Sequence, residues 1–179
     1  SRGCPFSCSF CAKENFRGAY RRRRLAVFLK ELDRLIAQGA GYFYFIDEIF
    51  FPHPEVIRSL AARKISFGIQ TRIDLWSERD IETLGRAGCV SIEAGVESIT
   101  EEGRRRLNKR SAVDTAALEN LLCAAKENVP FVQATLLGCA GDPATEVSEW
   151  RRRLISRGVW VNDPVPLFRY PGSEEYRRL

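Results

Sequence analysis

This sequence contains no methionine, a single histidine and no long apolar run. A helix that crosses a bilayer needs about 20 consecutive apolar residues, so we expect neither a membrane span nor a signal peptide. The cysteines show no pairing pattern, which fits a reducing compartment and predicts a cytoplasmic protein. Because the chain starts at Ser1 without an initiator methionine, we expect a fragment of a longer protein.

Three of the six cysteines, Cys4, Cys8 and Cys11, lie within the first eleven residues in a CxxxCxxC run. Thiolates at this spacing can point at a common centre from one loop, which suits a soft metal or an iron–sulfur cluster. Three ligands leave one iron of a four-iron cluster open, and an open position is where metal chemistry takes place. A disulfide would leave one cysteine over, and a structural zinc site needs a fourth ligand, for which His53 lies far along the chain. The other cysteines stand singly in apolar contexts that suit small buried side chains: Cys89, Cys123 and Cys139.

The net charge of +5 comes mostly from arginine clusters at 21–24, at 104–106 with Lys109 and Arg110, and at 151–153. Basic clusters of this kind bind phosphates or nucleic acid in many proteins. Aromatic residues that would stack on bases are not interleaved among these arginines. We therefore interpret the clusters as solvated helix ends and loops and expect no nucleic-acid partner.

Helical and strand patterns alternate along the chain, which argues for a parallel sheet with right-handed crossovers. The predicted helices are Leu25–Ile36, Pro54–Leu60, a helix capped by Ser77 with Asp80, a short helix capped by Ser98 with Glu101, Val113–Ala125 and Val147–Ile155. The predicted strands are Tyr42–Ile46, Ile65–Thr71, Cys89–Glu97, Phe131–Leu137 and Val159–Val161. The fold class is therefore α/β, either an open doubly wound sheet or a barrel.

Polar residues at every second position of three strands favour a barrel or partial barrel. They are Gln70 with Arg72, Ser91 with Glu93 and Glu97, and Gln133 with Thr135. Helices on both faces would bury these groups at about 1 to 3 kcal/mol each if unpaired, whereas a hydrated lumen would use them. Arg72 and Glu97 could instead lie beyond the strand ends, and Glu97 could pair with an arginine.

The cysteine spacing, with Phe10 just before the last cysteine, closely resembles the cluster motif of the radical S-adenosylmethionine (radical SAM) enzymes. The resemblance implies a partial (β/α) TIM-like barrel of parallel strands with outer helices, here lacking its first strand, and one core domain over residues 1–179. It implies that Cys4, Cys8 and Cys11 hold a [4Fe-4S] cluster whose open iron binds S-adenosylmethionine. Reductive cleavage would then yield a 5'-deoxyadenosyl radical, with an electron donor such as flavodoxin or ferredoxin.

The same resemblance implies a set of cofactor-binding residues and no catalytic side chain. Phe10 would pack near the adenine, and Asp47 or Glu48 in Phe45-Ile46-Asp47-Glu48 would hold the methionine amino group. The strand that carries Ser91, Glu97 and Ser98 would supply polar groups near the ribose and methionine. The remaining candidates are Arg72 in the lumen, and Leu137 and Gly138 in an apolar stretch, Leu136 to Gly141, beside the adenine.

Four short stretches most resemble the radical SAM subgroup that carries a cobalamin-binding domain upstream. They are Ser-Arg-Gly-Cys, Phe-Ile-Asp-Glu, Gly-Val-Glu-Ser and Tyr-Pro-Gly-Ser. This subgroup implies a cobalamin-dependent methylation by the full-length parent, on a substrate that the sequence does not indicate. Alternatives within enzymes are a methylthiotransferase and a porphyrin-pathway oxidase. The alternative outside enzymes is a zinc-stabilised nucleic-acid-binding module.

Overall fold

Six parallel strands form one sheet in the computed structural model, which describes residues 1–12, 18–138 and 141–178. The strands are β1 (Tyr42–Phe45), β2 (Ser66–Thr71), β3 (Cys89–Glu97), β4 (Phe131–Gly138), β5 (Trp160–Val161) and β6 (Val165–Pro166). Their order is β1-β2-β3-β4-β5, with β6 paired to the end of β4. Because every pair is parallel, the carboxyl ends of all strands lie at one edge.

Helices connect the first five strands in succession, as the alternating pattern predicts. They are α1 (Leu25–Ala37), α2 (Pro54–Ala61), α3 (Glu78–Arg86), α4 (Glu101–Arg106), α5 (Thr115–Asn128), α6 (Ala144–Ser156) and α7 (Glu174–Arg177), with a 3-10 turn at Ile73–Leu75. Within the described ranges, no helix is both long and apolar enough to cross a membrane.

The two faces of β3 differ in burial, and this difference decides between the architectures. Ile92, Ala94 and Val96 are buried in one apolar core with helical residues such as Leu122 and Trp150. The opposite face carries Ser91, Glu93, Gly95 and Glu97, which are only half-buried. A sheet with one apolar face under helices and one polar inner face is the partial barrel that the sequence predicts.

The predicted cap of α4 is wrong. Thr100 is the N-cap, and its Oγ1 accepts a hydrogen bond from the Gly103 amide at 3.0 Å. Ser98 is fully buried, and its hydroxyl donates to Asp142 at 2.8 Å. Ser98 and Thr100 both satisfy the sequence pattern of a cap, and a tertiary partner 44 residues away decides which one caps.

Other differences concern helix starts and short elements. Val113 precedes α5, because Asp114 caps that helix through the Ala117 amide at 2.7 Å. The last predicted strand shortens to β5, and β6 and α7 were not predicted. Strands of two residues and a helix of four are below the length at which periodicity is detectable. The prediction for Cys139 falls outside the described residues.

Candidate active site

The cysteine loop lies over the carboxyl edge of the sheet and is held at its start by Glu48. The Gly3 amide donates to Glu48 Oε2 at 2.8 Å. Gly3 has φ +74, and a Cβ there would lie 2.6 Å from the Ala19 carbonyl oxygen, so only glycine fits. The residue that leads into Cys4 is thus fixed to the segment that follows β1.

The middle of the loop is held by the connection between α4 and α5. The Ser9 amide donates to the Leu107 carbonyl at 2.8 Å, and Asn108 Nδ2 donates to the Ser7 carbonyl at 2.7 Å. On the other side, the Glu175 amide of α7 donates to the Ser9 carbonyl at 3.0 Å. Backbone groups on both sides of Cys8 are therefore anchored by distant parts of the chain.

Two buried cations lie beside Cys8. Arg72 is 6% exposed and Lys109 is 4% exposed. Burial raises the pKa of the Cys8 thiol, while the charges of Lys109 and Arg72 act to lower it. Arg72 stacks over the ring of Phe6, in the same loop, at 4.2 Å. The two cations therefore offset part of the effect of burial and stabilise the thiolate form of Cys8.

Arg72 is fixed by Asp74 and by a carbonyl. Its Nη2 donates to Asp74 Oδ2 at 2.6 Å and to the Arg110 carbonyl at 2.6 Å. Its buried Nη1 has no hydrogen-bond partner among the residues that the structure describes. Arg72 follows β2, so the alternative that placed it beyond the strand end is confirmed.

Glu97 pairs with a lysine rather than with the arginine considered above. Lys109 Nζ lies 2.7 Å from Glu97 Oε1 and donates to the Gly95 carbonyl at 2.9 Å. Glu97 has φ +68, and the register of β3 with β4 shifts between Gly95 and Glu97. This irregularity at the end of β3 aims the carboxylate toward Lys109, and a strict period of two could not predict it.

The structure gives the remaining predicted residues different surroundings. Asp47 is contacted by the amino and hydroxyl groups of Ser1. Ser91 lies on the inner face beside Gly68, where an added Cβ would be 2.8 Å from Ser91 Oγ. Phe10 is half-buried in the cysteine loop. Leu137 and Gly138 pair with β6. Together with Asp142 they line a cavity of about 280 Å³.

Lys109 and Arg104 correct the interpretation of the arginine clusters. Both side chains are buried, and Arg104 donates to the carbonyls of Ser98 and Ile99 at 3.2 and 3.0 Å. The sequence shows a run of like charges and gives no sign of which members turn inward. The solvated interpretation is therefore wrong for these two residues.

The donor chemistry of the cysteine loop fits an iron–sulfur cluster. Cys4, Cys8 and Cys11 are reduced thiols on one anchored loop, half-buried or exposed. Cationic side chains beside Cys8 suit a site that accumulates negative charge. The described side chains include no group of three His, Cys, Asp or Glu already close enough to hold a metal ion. The fit thus rests on ligand type and on the position of the loop.

Two of the curated proteins that this chain resembles over part of their length show what kind of relatives it has. The chain is 32% identical over 125 residues to the anaerobic magnesium-protoporphyrin IX monomethyl ester cyclase of Cereibacter sphaeroides, covering 63% of this chain and 20% of that protein. It is 25% identical over 120 residues to the bacteriochlorophyllide d C-12(1)-methyltransferase of Chlorobaculum tepidum, covering 62% and 26%. The chain therefore spans about a fifth to a quarter of the length of these relatives.

Solved structures and a family model show the fold and the family. The radical S-adenosylmethionine methyltransferase TsrM of Kitasatospora setae, solved with cobalamin and a [4Fe-4S] cluster, superposes with a TM-score of 0.80 at 17% identity, over 97% of this chain and 37% of TsrM. This likeness confirms the fold. The model of the radical SAM superfamily matches residues 1–154, most of the sequence. The chain therefore belongs to the radical SAM superfamily of enzymes.

Proposed function

We propose that residues 1–179 are the core domain of an enzyme that reductively cleaves S-adenosylmethionine and uses the resulting radical to modify an organic substrate. The observation that carries this proposal is the cysteine loop, which is anchored by Glu48 and lies beside buried Arg72 and Lys109. Cys4, Cys8 and Cys11 would hold a [4Fe-4S] cluster through their sulfurs. When bound, the cluster supplies one electron to the sulfonium, which cleaves to methionine and a 5'-deoxyadenosyl radical.

The protein's own contribution is orientation and exclusion of water. Asp47 and Glu48 follow β1 beside the loop, so the carboxylate of one or the other would bind the methionine ammonium through charge-assisted hydrogen bonds. Ser91 and Glu97 would face the ribose from the inner side of β3. Phe10 and the apolar end of β4, Leu137 with Gly138, would border the adenine.

The inner face of the sheet offers polar groups for a substrate. Burial raises the pKa of the Tyr44 hydroxyl, and a hydrogen bond with Glu93 adds to the rise. The hydrogen bond joins the phenol to the Glu93 carboxylate on the inner face. Tyr44 and Glu93 would bind and orient a substrate on the inner face of the sheet.

Anaerobic reconstitution with iron and sulfide tests the proposal. We expect a brown protein with broad absorbance, and dithionite-dependent formation of 5'-deoxyadenosine from S-adenosylmethionine. The triple variant Cys4→Ala, Cys8→Ala, Cys11→Ala should lose the iron, whereas Cys123→Ala, a cysteine in α5, should keep it. Stoichiometric zinc without iron, together with a salt-dependent shift of nucleic acid, would establish the binding module instead.

We further propose that the full-length enzyme modifies a tetrapyrrole, by methylation or by ring oxidation. Support comes from the names of the two relatives, a cyclase and a methyltransferase that both concern tetrapyrroles. Cobalamin would take part in the methyl transfer, as a cofactor of the parent. Labelled S-adenosylmethionine separates the two reactions, because only methylation places its methyl carbon in the product. Flavodoxin or ferredoxin in the cytoplasm would supply the electron.

A further inference from the structure

We propose that a cavity next to the cysteine loop binds an organic oxyanion, a carboxylate or phosphate carried on a flat apolar body. This inference deepens the proposed function and rests on it, since it assigns the recognition of the substrate's anionic arm. The cavity, called here the arginine cavity, has a volume of about 460 Å³. Its basic lining residues are Arg2, Arg21, Arg22, Arg23 and His53.

The arginine cavity carries an excess of positive charge. Its lining contains one acidic residue, Asp47, and Arg23 is paired with Glu31. Arg2, Arg21 and Arg22 have no carboxylate partner in the described part of the chain. Arg2 and Arg21 exchange backbone hydrogen bonds of 3.0 and 2.8 Å, which hold the two residues at the same cavity. Three arginines without a carboxylate partner therefore line the cavity against one acidic residue.

The amino end of α1 adds to this potential. Leu25 and Phe28, in the first turn, line the cavity. The helix has 13 residues, its N-cap Arg24 makes no side-chain cap, and its first turn contains no acidic residue. The first amides of a helix lack internal partners and form its positive end, where oxyanions bind. The helix end and the arginines thus favour the same ligand charge.

His53 is a further polar residue of the lining. Its Nε2 is buried and has no hydrogen-bond partner within residues 1–12, 18–138 and 141–178. A ligand oxygen would reach this atom only after the ring turns toward the cavity. Burial lowers the pKa of His53, and the charge of Arg22 lowers it further, so both effects favour the neutral imidazole.

Aromatic side chains define the shape of the ligand and link the cavity to the cysteine loop. Phe51 stacks on Phe6 of that loop with ring centroids 6.3 Å apart, and contacts Tyr20 edge-on at 5.2 Å. Tyr20, Phe28, Phe50 and Phe51 all line the arginine cavity. Aromatic walls favour a flat apolar body, and cations at the rim favour its acidic substituent.

Porphyrin titrations test the inference without a cluster or any turnover. The probes are deuteroporphyrin IX, which has two carboxylates, its neutral dimethyl ester, and flavin mononucleotide, which is flat and carries a phosphate. Binding is followed by absorbance and fluorescence. The double variant Arg21→Gln, Arg22→Gln should weaken deuteroporphyrin binding at least tenfold and leave the ester unchanged. Arginine-dependent binding of flavin mononucleotide would equally support an oxyanion site and would identify phosphate as a ligand.

The matched control is Arg58→Gln, Arg152→Gln, two exposed arginines outside the cavity that give the same loss of charge. We expect this control to bind within about twofold of the parent protein, because a distant charge acts weakly through solvent. Equal affinity for acid and ester, or equal losses in both double variants, would overturn the inference. If 5'-deoxyadenosine still forms in that case, the proposed function stands. If arginine-dependent binding is seen but anaerobic reconstitution yields no iron–sulfur cluster, only the proposed function is rejected.

Discussion

Two polar clusters lie at the carboxyl edge of the sheet, and they differ in what they hold. On the β1 to β3 side, Glu48 binds the cysteine loop directly, and Arg72 and Lys109 lie beside Cys8. On the β4 side, Asp142 is bound to the segment that follows β3. The first cluster therefore holds the loop that carries the three cysteines. The second holds together segments of the framework that follow β3 and β4. The same residue types perform both tasks, and only the partner distinguishes them.

Asp142 accepts three hydrogen bonds that close the framework. The donors are the hydroxyls of Ser98 and Thr100, at 2.8 and 2.6 Å, and the Ile99 amide at 3.1 Å. The hydroxyl of Ser98 is thus already used, so its predicted role in cofactor binding would require it to exchange partners. This side of the edge is where we expect the largest effect of a single substitution.

Substituting Asp142→Ala should lower the free energy of unfolding by about 3 kcal/mol, because it removes the charged acceptor of three hydrogen bonds and leaves the buried Ser98 hydroxyl only the Thr100 carbonyl at 3.2 Å. Urea unfolding followed by circular dichroism measures the change. Iron bound per folded molecule should not change. The control is Asp163→Ala, whose side chain is 91% exposed and pairs with Arg151, and which should cost under about 1 kcal/mol. If Asp142→Ala instead lost iron and kept the stability of the parent protein, Asp142 would belong with the residues that hold the cysteine loop.

Glu48→Ala should show the opposite pattern. The Gly3 amide loses its acceptor, so the loop that carries the cysteines is held less firmly, while the core is untouched. We expect unfolding to become easier by only about 1 kcal/mol. The reconstituted protein should lose iron several-fold faster to a chelator. An exposed acid of α6, replaced in Glu149→Ala, is the comparison variant and should retain iron as the parent does. A larger loss of stability than in Asp142→Ala would show that Glu48 supports the framework.

The regular parts of this fold could be predicted because local chemistry determines them. The bounds of β3 are those predicted, Cys89–Glu97, since apolar and polar residues alternate along it. The capping box of Ser77 with Asp80 is confirmed, because both of its bonds are local. The cysteine motif and Phe10 indicated the family, which the family model confirms.

The assembled site could not be predicted, because distant backbone groups decide it. Glu48 binds a main-chain amide of Gly3, which leaves no mark in the sequence. Lys109 sits in a run of basic residues, and its burial follows from the irregular end of β3 that presents Glu97 and the Gly95 carbonyl. The roles of the three loop cysteines and of the cofactor-binding residues stay predictions, which the variants above address.

The smallest expected effect concerns the charge beside Cys8. Arg72 acts to lower the pKa of this thiol against the opposing effect of burial, so Arg72→Gln should raise that pKa further. The thiolate would then form at higher pH. The pH at which iodoacetamide alkylates Cys8 at half its maximal rate should rise with it, as measured by peptide mass spectrometry in cluster-free protein. Arg110→Gln is the matched control, because Arg110 is exposed and offers Arg72 only its carbonyl. An unchanged alkylation profile in Arg72→Gln would mean that the buried guanidinium serves Asp74 and the framework, which would move Arg72 from the first cluster to the second.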